Sequence, residues 1–193
     1  MKQIILALAL LGSTALAADT WTVDTRHSGV SFSVRNFFVP VEGSLKLQEG
    51  KIVFDAANLS ASSVHAVIAV TTINTQDADR DKHLNSDDFF ITAKFPTATF
   101  KSTKWEAAGT NQFKVTGDLT IKEVTKPVTL AVSLLGTGAG NRGRTISGWQ
   151  ALLKINRKDW GVSYGPSIAD EVTLTINVQG IKEEAAPAVK QGD

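Results

Sequence analysis

The chain has 193 residues, of which 42% are hydrophobic and 20% are charged. This length suits one globular domain, and the apolar share is too high for a disordered protein. A net charge of +1 gives no reason to expect nucleic-acid binding, and the lack of cysteine excludes disulfides, thiolate nucleophiles and cysteine metal sites.

Residues 1–17 predict an export signal. Lys2 is followed by an apolar run from Ile4 to Leu11, and Ala15-Leu16-Ala17 fits the small-x-small cleavage rule. The run is too short to span a bilayer of about 30 Å, and no other stretch has the ~18 apolar residues of a membrane helix. We therefore expect an exported, soluble protein without stable membrane insertion. It would be periplasmic in a Gram-negative source, or secreted where there is no outer membrane.

The sequence up to residue 74 predicts three strands. Residues 21–23 and 29–36 form a first strand that is broken near 24–28. A second, hairpin-like unit spans residues 45–54 with a turn at Glu49-Gly50, and the apolar run 63–73 predicts a third strand. Between the first two lies the apolar patch Phe37-Phe38-Val39, and its exposure leaves a homodimer open.

A charged and then aromatic segment interrupts this β pattern. Charge is dense from Asp77 to Asp88, and four Phe residues follow within residues 89–100. We expect a short helical insert near residues 76–90, with Thr75 as its N-cap. The insert would bring several Phe side chains to one place.

The second half of the chain predicts five further strands, at residues 97–105, 113–121, 128–134, 149–155 and 172–178. Apolar and polar residues alternate most clearly in 113–121, as in a half-buried strand. Residues 136–144 predict a mobile Gly-rich loop, and 182–193 predict a disordered tail.

This pattern predicts an all-β, antiparallel, up-and-down fold of about eight strands over residues 18–181, with one helical insert. The alternation alone does not distinguish a closed barrel from a sandwich. A barrel of eight strands would be just wide enough for side chains or for one slender ligand.

Two blocks of sequence carry a family resemblance. The first is Arg80-Asp81-x-His83-Leu84, followed by Asp88-Phe89 and Phe95-Pro96-x-Ala98-x-Phe100; the second joins residues 117–121 to 124–130. Weaker matches are Trp21-x-x-Asp24-x-x-His27-Ser28 and Arg157-x-Asp159-Trp160-Gly161. Together they span residues 20–181 and resemble the YceI-like family, periplasmic polyisoprenoid-binding proteins with a lipocalin-like barrel. The resemblance implies the barrel, and a polyprenyl phosphate or an isoprenoid quinone as the ligand.

The chain departs from that family at two places. Relatives often carry Asn-Gly where Lys122-Glu123 stand here, at a hairpin turn that needs positive φ angles, so we expect a different turn or some strain. Relatives also often carry His where Asn36 stands, in a segment that the resemblance puts near the ligand.

The predicted site is an apolar cavity with a polar rim, because isoprenoids need little else. Each CH₂ group that a ligand buries contributes about 0.8 kcal/mol. Arg80 would meet a polar or pyrophosphate head group, since guanidinium suits phosphate. Core packing is the alternative for the Phe residues, and closure of one barrel end by ion pairs is the alternative for Arg80. The predicted cavity residues are Phe32, Phe89, Phe90, Phe100, Leu119, Ile121, Leu130, Trp149 and Leu153.

Little in the sequence indicates catalysis or a metal. The three histidines are far apart in sequence, and no Gly-x-Ser-x-Gly motif is present. Asp24, His27 and Ser28 are close together, but strand residues three apart point to different faces. We therefore expect a non-enzymatic carrier without a cofactor or metal.

Two alternatives stay open. One is a lipid-acting hydrolase or isomerase that uses Asp24 and His27. The other is a non-catalytic interaction or stress protein with a side-chain-filled barrel, whose loop at residues 136–144 binds a partner.

Overall fold

The computed structural model describes residues 18–184, which form one antiparallel sheet that closes on itself. Residues 1–17, where the export signal is predicted, lie outside the described range. The nine strands are β1 (Asp19–Val23), β2 (Gly29–Asn36), β3 (Val39–Phe54), β4 (Ser63–Asn74), β5 (Thr97–Gly109), β6 (Gln112–Ile121), β7 (Val124–Ala139), β8 (Thr145–Asn156) and β9 (Ile168–Lys182). The α-helix of this range is α1 (Ala78–Leu84), and short 3-10 turns lie at Leu59–Ala61, Asn141–Gly143 and Arg157–Trp160.

The sheet closes into a barrel with eight positions around its circumference. From β3 to β9 each strand pairs with the next in the chain, and β9 pairs back with both β1 and β2. Since β1 and β2 also both pair with β3, they act as one broken strand. Closure leaves no free edge. The predicted all-β barrel with a helical insert is confirmed.

The predicted turn at Glu49-Gly50 is wrong, because β3 runs through both residues. Gly50 lies opposite Ala66 on β4. A Cβ atom at Gly50 would lie only 2.7 Å from Cγ2 of Val23. The glycine therefore makes room for β1 to pack closely against β3, and it does not mark a turn.

The predicted loop at residues 136–144 is shorter in the structure, because its first four residues belong to β7. β7 and β8 stay paired as far as Ala139 and Thr145. Only residues 140–144 leave the sheet, in a turn where Arg142 has a φ of 59°.

The end of the described chain is tied to the barrel. β9 includes Lys182, whose Nζ lies 2.6 Å from the Asp19 carboxylate, and the Glu183 N–H donates to the Thr20 carbonyl at 2.8 Å. The predicted tail therefore begins inside the sheet, and its residues 185–193 lie outside the described range. Within residues 18–184, no helix has the length and hydropathy to cross a bilayer.

The antiparallel strands give the barrel two distinct ends. We call one the insert end; it carries the β2–β3 turn, the insert between β4 and β5, the β6–β7 turn and the β8–β9 connection. We call the opposite one the far end; it carries the β3–β4, β5–β6 and β7–β8 connections.

Candidate functional site

The barrel encloses a cavity of about 460 Å³. Small-molecule pockets in proteins measure about 300–1,000 Å³. The walls are the inward faces of the strands, where the alternation in the sequence places apolar side chains. A volume of this size counts against a barrel that is filled by side chains.

All ten residues of the predicted site line this cavity: Phe32, Arg80, Phe89, Phe90, Phe100, Leu119, Ile121, Leu130, Trp149 and Leu153. The structure thus brings together residues from five strands and from the insert. Their contact with a ligand stays a prediction.

Other lining residues were not among those predicted. Leu174 and Ile176 of β9 line the wall, and the alternation of that strand was a sufficient signal to find them. Tyr164 and Ser167 come from the β8–β9 connection. That segment has no periodicity, so its contribution could not be predicted from the pattern.

An aromatic cluster packs the barrel towards the far end. Phe54 lies with its ring centroid 5.1 Å from Trp149, 5.3 Å from Phe113 and 5.9 Å from Trp105. The Phe113 and Trp149 contacts are edge-to-face, a favoured arrangement for aromatic rings. Because Trp105 and Trp149 also line the cavity, the cluster forms its apolar floor.

The insert covers the other end of the cavity. The N-cap of α1 is Asp77, whose carboxylate accepts the Arg80 N–H at 3.0 Å. The predicted N-cap, Thr75, is wrong: it lies buried, and its hydroxyl accepts from Arg80 Nε at 2.7 Å. After α1 the chain turns back and brings Phe89 and Phe90 over the cavity.

The guanidinium group of Arg80 makes its hydrogen bonds within this local structure. Besides the Nε contact, its Nη2 donates to the Thr75 carbonyl at 2.8 Å, and Nη1 lies 3.9 Å from the Asp77 carboxylate. These contacts fasten the insert to the end of β4, as the alternative of barrel closure predicts. Arg80 also lines the cavity, so a role towards a head group stays a prediction.

Three rings join the insert to the β8–β9 connection. His83, Phe89 and Tyr164 form a triangle with centroid distances of 5.0–5.1 Å, all edge-to-face. The Nε2 atom of His83 lies 2.8 Å from the Asp88 carboxylate, which holds the imidazole in place. All three rings line the cavity. We call them the aromatic triangle.

Arg157 has a structural role that the sequence pattern does not reveal. It is only 7% exposed, and its guanidinium donates to five backbone carbonyls of residues 162–169. The β8–β9 connection lacks regular pairing, so these bonds satisfy carbonyls that would otherwise be buried without a partner. Arg157 therefore shapes the connection that carries Tyr164 and Ser167.

The polar lining gathers at the insert end. Asn36 ends β2, Thr75 follows β4, and Ser167 precedes β9, so antiparallel pairing puts them at one end together with His83 and Tyr164. The Oδ1 atom of Asn36 is buried without a hydrogen-bond partner. A buried acceptor without a partner costs about 1–3 kcal/mol, which a donor group on a ligand would remove.

The possible catalytic group lies elsewhere. Asp24 and His27 do meet, with 2.8 Å between Oδ2 and Nδ1, because residues 24–28 form a turn between β1 and β2. The His27 hydrogen bond lowers the pKa of Asp24. Ser28 accepts the Gln179 N–H instead of contacting this pair. None of Asp24, His27 and Ser28 is among the residues that line the cavity.

No group of three or more His, Asp or Glu side chains within residues 18–184 is placed to hold a metal ion. The acidic residues near His83 have other roles. Asp77 caps α1, Asp81 bonds to Thr75, and Asp88 contacts the imidazole.

Comparisons with known proteins agree with this architecture. The sequence pattern of the YceI-like domain matches residues 21–180. Protein YceI of Escherichia coli O157:H7 is 38% identical over 183 residues, which cover 92% of this chain and 94% of that protein. The crystal structure of Burkholderia cenocepacia BcnA matches with a TM-score of 0.74 at 29% identity, over 81% of this chain and 98% of BcnA.

A polyisoprenoid-binding domain from Saccharophagus degradans has the same fold, with a TM-score of 0.59 at 17% identity over 84% of this chain and 98% of that domain. The match to the domain pattern spans nearly all of the described residues, and the relatives are matched along nearly their full length. The chain therefore belongs to the YceI-like family.

Proposed function

We propose that this protein is an exported, non-catalytic carrier that holds a long isoprenoid lipid in its barrel. The tail would lie against the apolar walls and floor, and the head group would lie at the insert end. A polyprenyl phosphate or an isoprenoid quinone fits this description. The protein would be periplasmic, or secreted if its source has no outer membrane.

The observation that carries the proposal is the uneven polarity of the cavity. Its floor and walls are apolar, whereas Asn36, Thr75, His83, Tyr164 and Ser167 gather at one end. A ligand with a long apolar tail and a compact polar head matches this distribution. Burial of each CH₂ contributes about 0.8 kcal/mol, so the tail supplies most of the affinity.

The fold comparison is consistent with this ligand class. The Saccharophagus degradans domain is described as polyisoprenoid-binding, and at 17% identity it supports the fold alone. The choice of an isoprenoid for this chain therefore depends on the cavity and its chemistry.

The carrier function has a direct test. Residues 18–193 are produced by export, purified without detergent and measured by native mass spectrometry, followed by organic extraction. We expect one isoprenoid per chain. A ligand-free mass that does not change on incubation with polyprenyl lipids would contradict the proposal and favour an interaction protein.

Matched variants sharpen this test. Ala151→Phe places a ring in the cavity, because Ala151 lines its wall on β8. Ala131→Phe makes the same change on the neighbouring β7 at an exposed position. The first variant should lose the lipid and the second should keep it. Equal lipid content in both variants would place the ligand outside the barrel.

The hydrolase alternative makes a different prediction. If Asp24 and His27 were catalytic, His27→Ala would abolish turnover of a bound lipid ester. The carrier proposal expects no change in lipid content or composition in that variant.

A further inference from the structure

The turn between β2 and β3 displays an apolar tip at the insert end. Asn36 pairs with Val39, which leaves Phe37 and Phe38 as the two turn residues. Phe37, Phe38 and Val39 are 68%, 93% and 66% exposed. We call these three residues the hairpin tip.

The hairpin tip conflicts with what the fold alone would select. Phe37 has a φ of +52°, in the left-handed region where Gly or Asn is usual. A bulky side chain there is strained by about 1–2 kcal/mol. Two exposed Phe rings also lower solubility. Residues that lower both the stability and the solubility of a protein indicate a function.

The hairpin tip is joined to the polar end of the cavity. The Phe37 N–H donates to the carbonyl of Ser167 at 2.8 Å, and Ser167 lines the cavity. Asn36 and Val41, on either side of the tip, line it as well. Tyr164, which belongs to the same connection as Ser167, is half exposed at this end. The exposed aromatic residues thus lie beside the polar end of the cavity.

A second copy of the chain is a poor occupant for this surface. A stable specific interface buries about 800 Å² on each partner. Two Phe side chains supply about 300–500 Å² when fully buried, and Val39 adds little to that. The hairpin tip would therefore need a much larger flat surface around it to form a dimer.

A lipid bilayer suits the hairpin tip better. Aromatic side chains favour the membrane interface, where apolar rings meet head groups. Arg35, exposed next to the tip, can pair with lipid phosphate. An interfacial tip of three residues gives a reversible contact, not an insertion across the membrane.

We infer that Phe37, Phe38 and Val39 dip into the surface of a lipid bilayer and dock the insert end of the barrel onto it. The isoprenoid then passes between bilayer and cavity without crossing water. This inference rests on the proposed carrier function, and it adds the surface through which the carrier loads or releases its ligand.

Docking is tested first without ligand. Delipidated protein (residues 18–193) is co-sedimented with vesicles of phosphatidylethanolamine and phosphatidylglycerol. The variant Phe37→Asn/Phe38→Ser removes both rings, and Asn suits the left-handed position. Leu135→Ser is the matched control, because Leu135 is 65% exposed on β7 near the far end.

We expect the double variant to partition about tenfold less than the wild type and Leu135→Ser to be unchanged. A wild type that stays in solution, or equal losses in both variants, would overturn the inference. Sedimentation velocity that shows a wild-type dimer dissolved by the double variant would overturn it in favour of a second copy.

Loading is then measured in two ways. Uptake of an isoprenoid quinone from vesicles should slow about tenfold in the double variant, because docking precedes transfer. Uptake from detergent micelles should not change. If wild type and variant take up neither an isoprenoid quinone nor a polyprenyl phosphate from micelles, the carrier function is wrong. If both take up the quinone equally fast from vesicles, the docking inference alone is wrong.

Discussion

The carboxylate of Asp81 accepts two hydrogen bonds from Thr75, from its backbone N–H at 2.8 Å and from its hydroxyl at 2.6 Å. Both bonds reach from α1 back to the end of β4. Thr75 is buried, so a lost bond would leave its N–H without a partner. This pair fixes the insert over the cavity.

Asp81→Ala should therefore lower the free energy of unfolding by about 2 kcal/mol, since bonds to a charged acceptor are the stronger ones. Urea denaturation measures the change. Asp79→Ala is the control, because Asp79 is exposed on the same helix. If both variants lose the same stability, the Thr75 contact does not hold the insert.

The comparison of sequence and structure separates periodic from irregular elements. Alternation predicts the inward faces of β6 and β7 correctly, because every strand of the barrel has one face towards the apolar interior and one towards solvent. The N-cap is Asp77 and not the predicted Thr75, and the pattern does not separate them because both are good capping residues. The side chains of Arg80 and Asp81 decide between them by binding Thr75, and sequence spacing does not reveal that contact.

Gly50 and Arg157 also have roles that depend on contacts between distant parts of the chain. Gly50 carries a turn signal in the sequence, but it serves close packing with Val23 within a long strand. Arg157 looks like a surface residue by its type. Its role depends on five carbonyls that come together only when the β8–β9 connection folds around it.

Arg157→Lys should destabilise the protein by about 3 kcal/mol. An ammonium group has three donors on one atom and cannot reach carbonyls spread over residues 162–169, so several stay buried without a partner. Thermal unfolding measures the loss. Arg26→Lys, at an exposed position, should have no effect. A stable Arg157→Lys protein would mean that water replaces the guanidinium bonds.

Lys122→Gly should stabilise the protein. Lys122 has a φ of +56° in the β6–β7 turn, where a side chain costs about 1–2 kcal/mol and glycine costs nothing sterically. Glycine loses more backbone entropy on folding than lysine, and this loss offsets part of the relieved strain. We therefore expect the free energy of unfolding, measured by urea denaturation, to rise by about 1 kcal/mol. Glu123→Gly is the control and should gain nothing, since positive φ is confined to Lys122 in this turn.

Acid should weaken the turn between β1 and β2. The hydrogen bond from His27 lowers the pKa of Asp24 below its ordinary value of 3.8. A lowered folded-state pKa means that Asp24 contributes stability above pH 3.8, and that this contribution is lost as the pH falls through the folded-state pKa.

The wild type should therefore exceed Asp24→Asn in unfolding free energy by about 1 kcal/mol at neutral pH. The difference should vanish in strong acid. His27→Ala removes the main cause of the shift and should move the Asp24 titration, followed by NMR, back towards 3.8. An unchanged titration in that variant would assign the shift to the Arg26 N–H and Gln179 instead.

The aromatic triangle should control how long a ligand stays bound. Tyr164 contacts both His83 and Phe89, so it links the β8–β9 connection to the insert across the end of the cavity. Each edge-to-face pair is worth about 0.5–1.5 kcal/mol beyond buried area. Tyr164→Ala removes two such pairs and should speed dissociation of a bound isoprenoid about tenfold.

Transfer of the lipid to acceptor vesicles, followed by native mass spectrometry, gives the dissociation rate. Tyr164→Phe keeps the ring and should release ligand at the wild-type rate, because the contacts use ring edges and faces rather than the hydroxyl. Fast release from both variants would instead assign the effect to the hydroxyl and a polar contact with the head group. Wild-type release from Tyr164→Ala would mean that the ligand leaves without parting the insert from the β8–β9 connection.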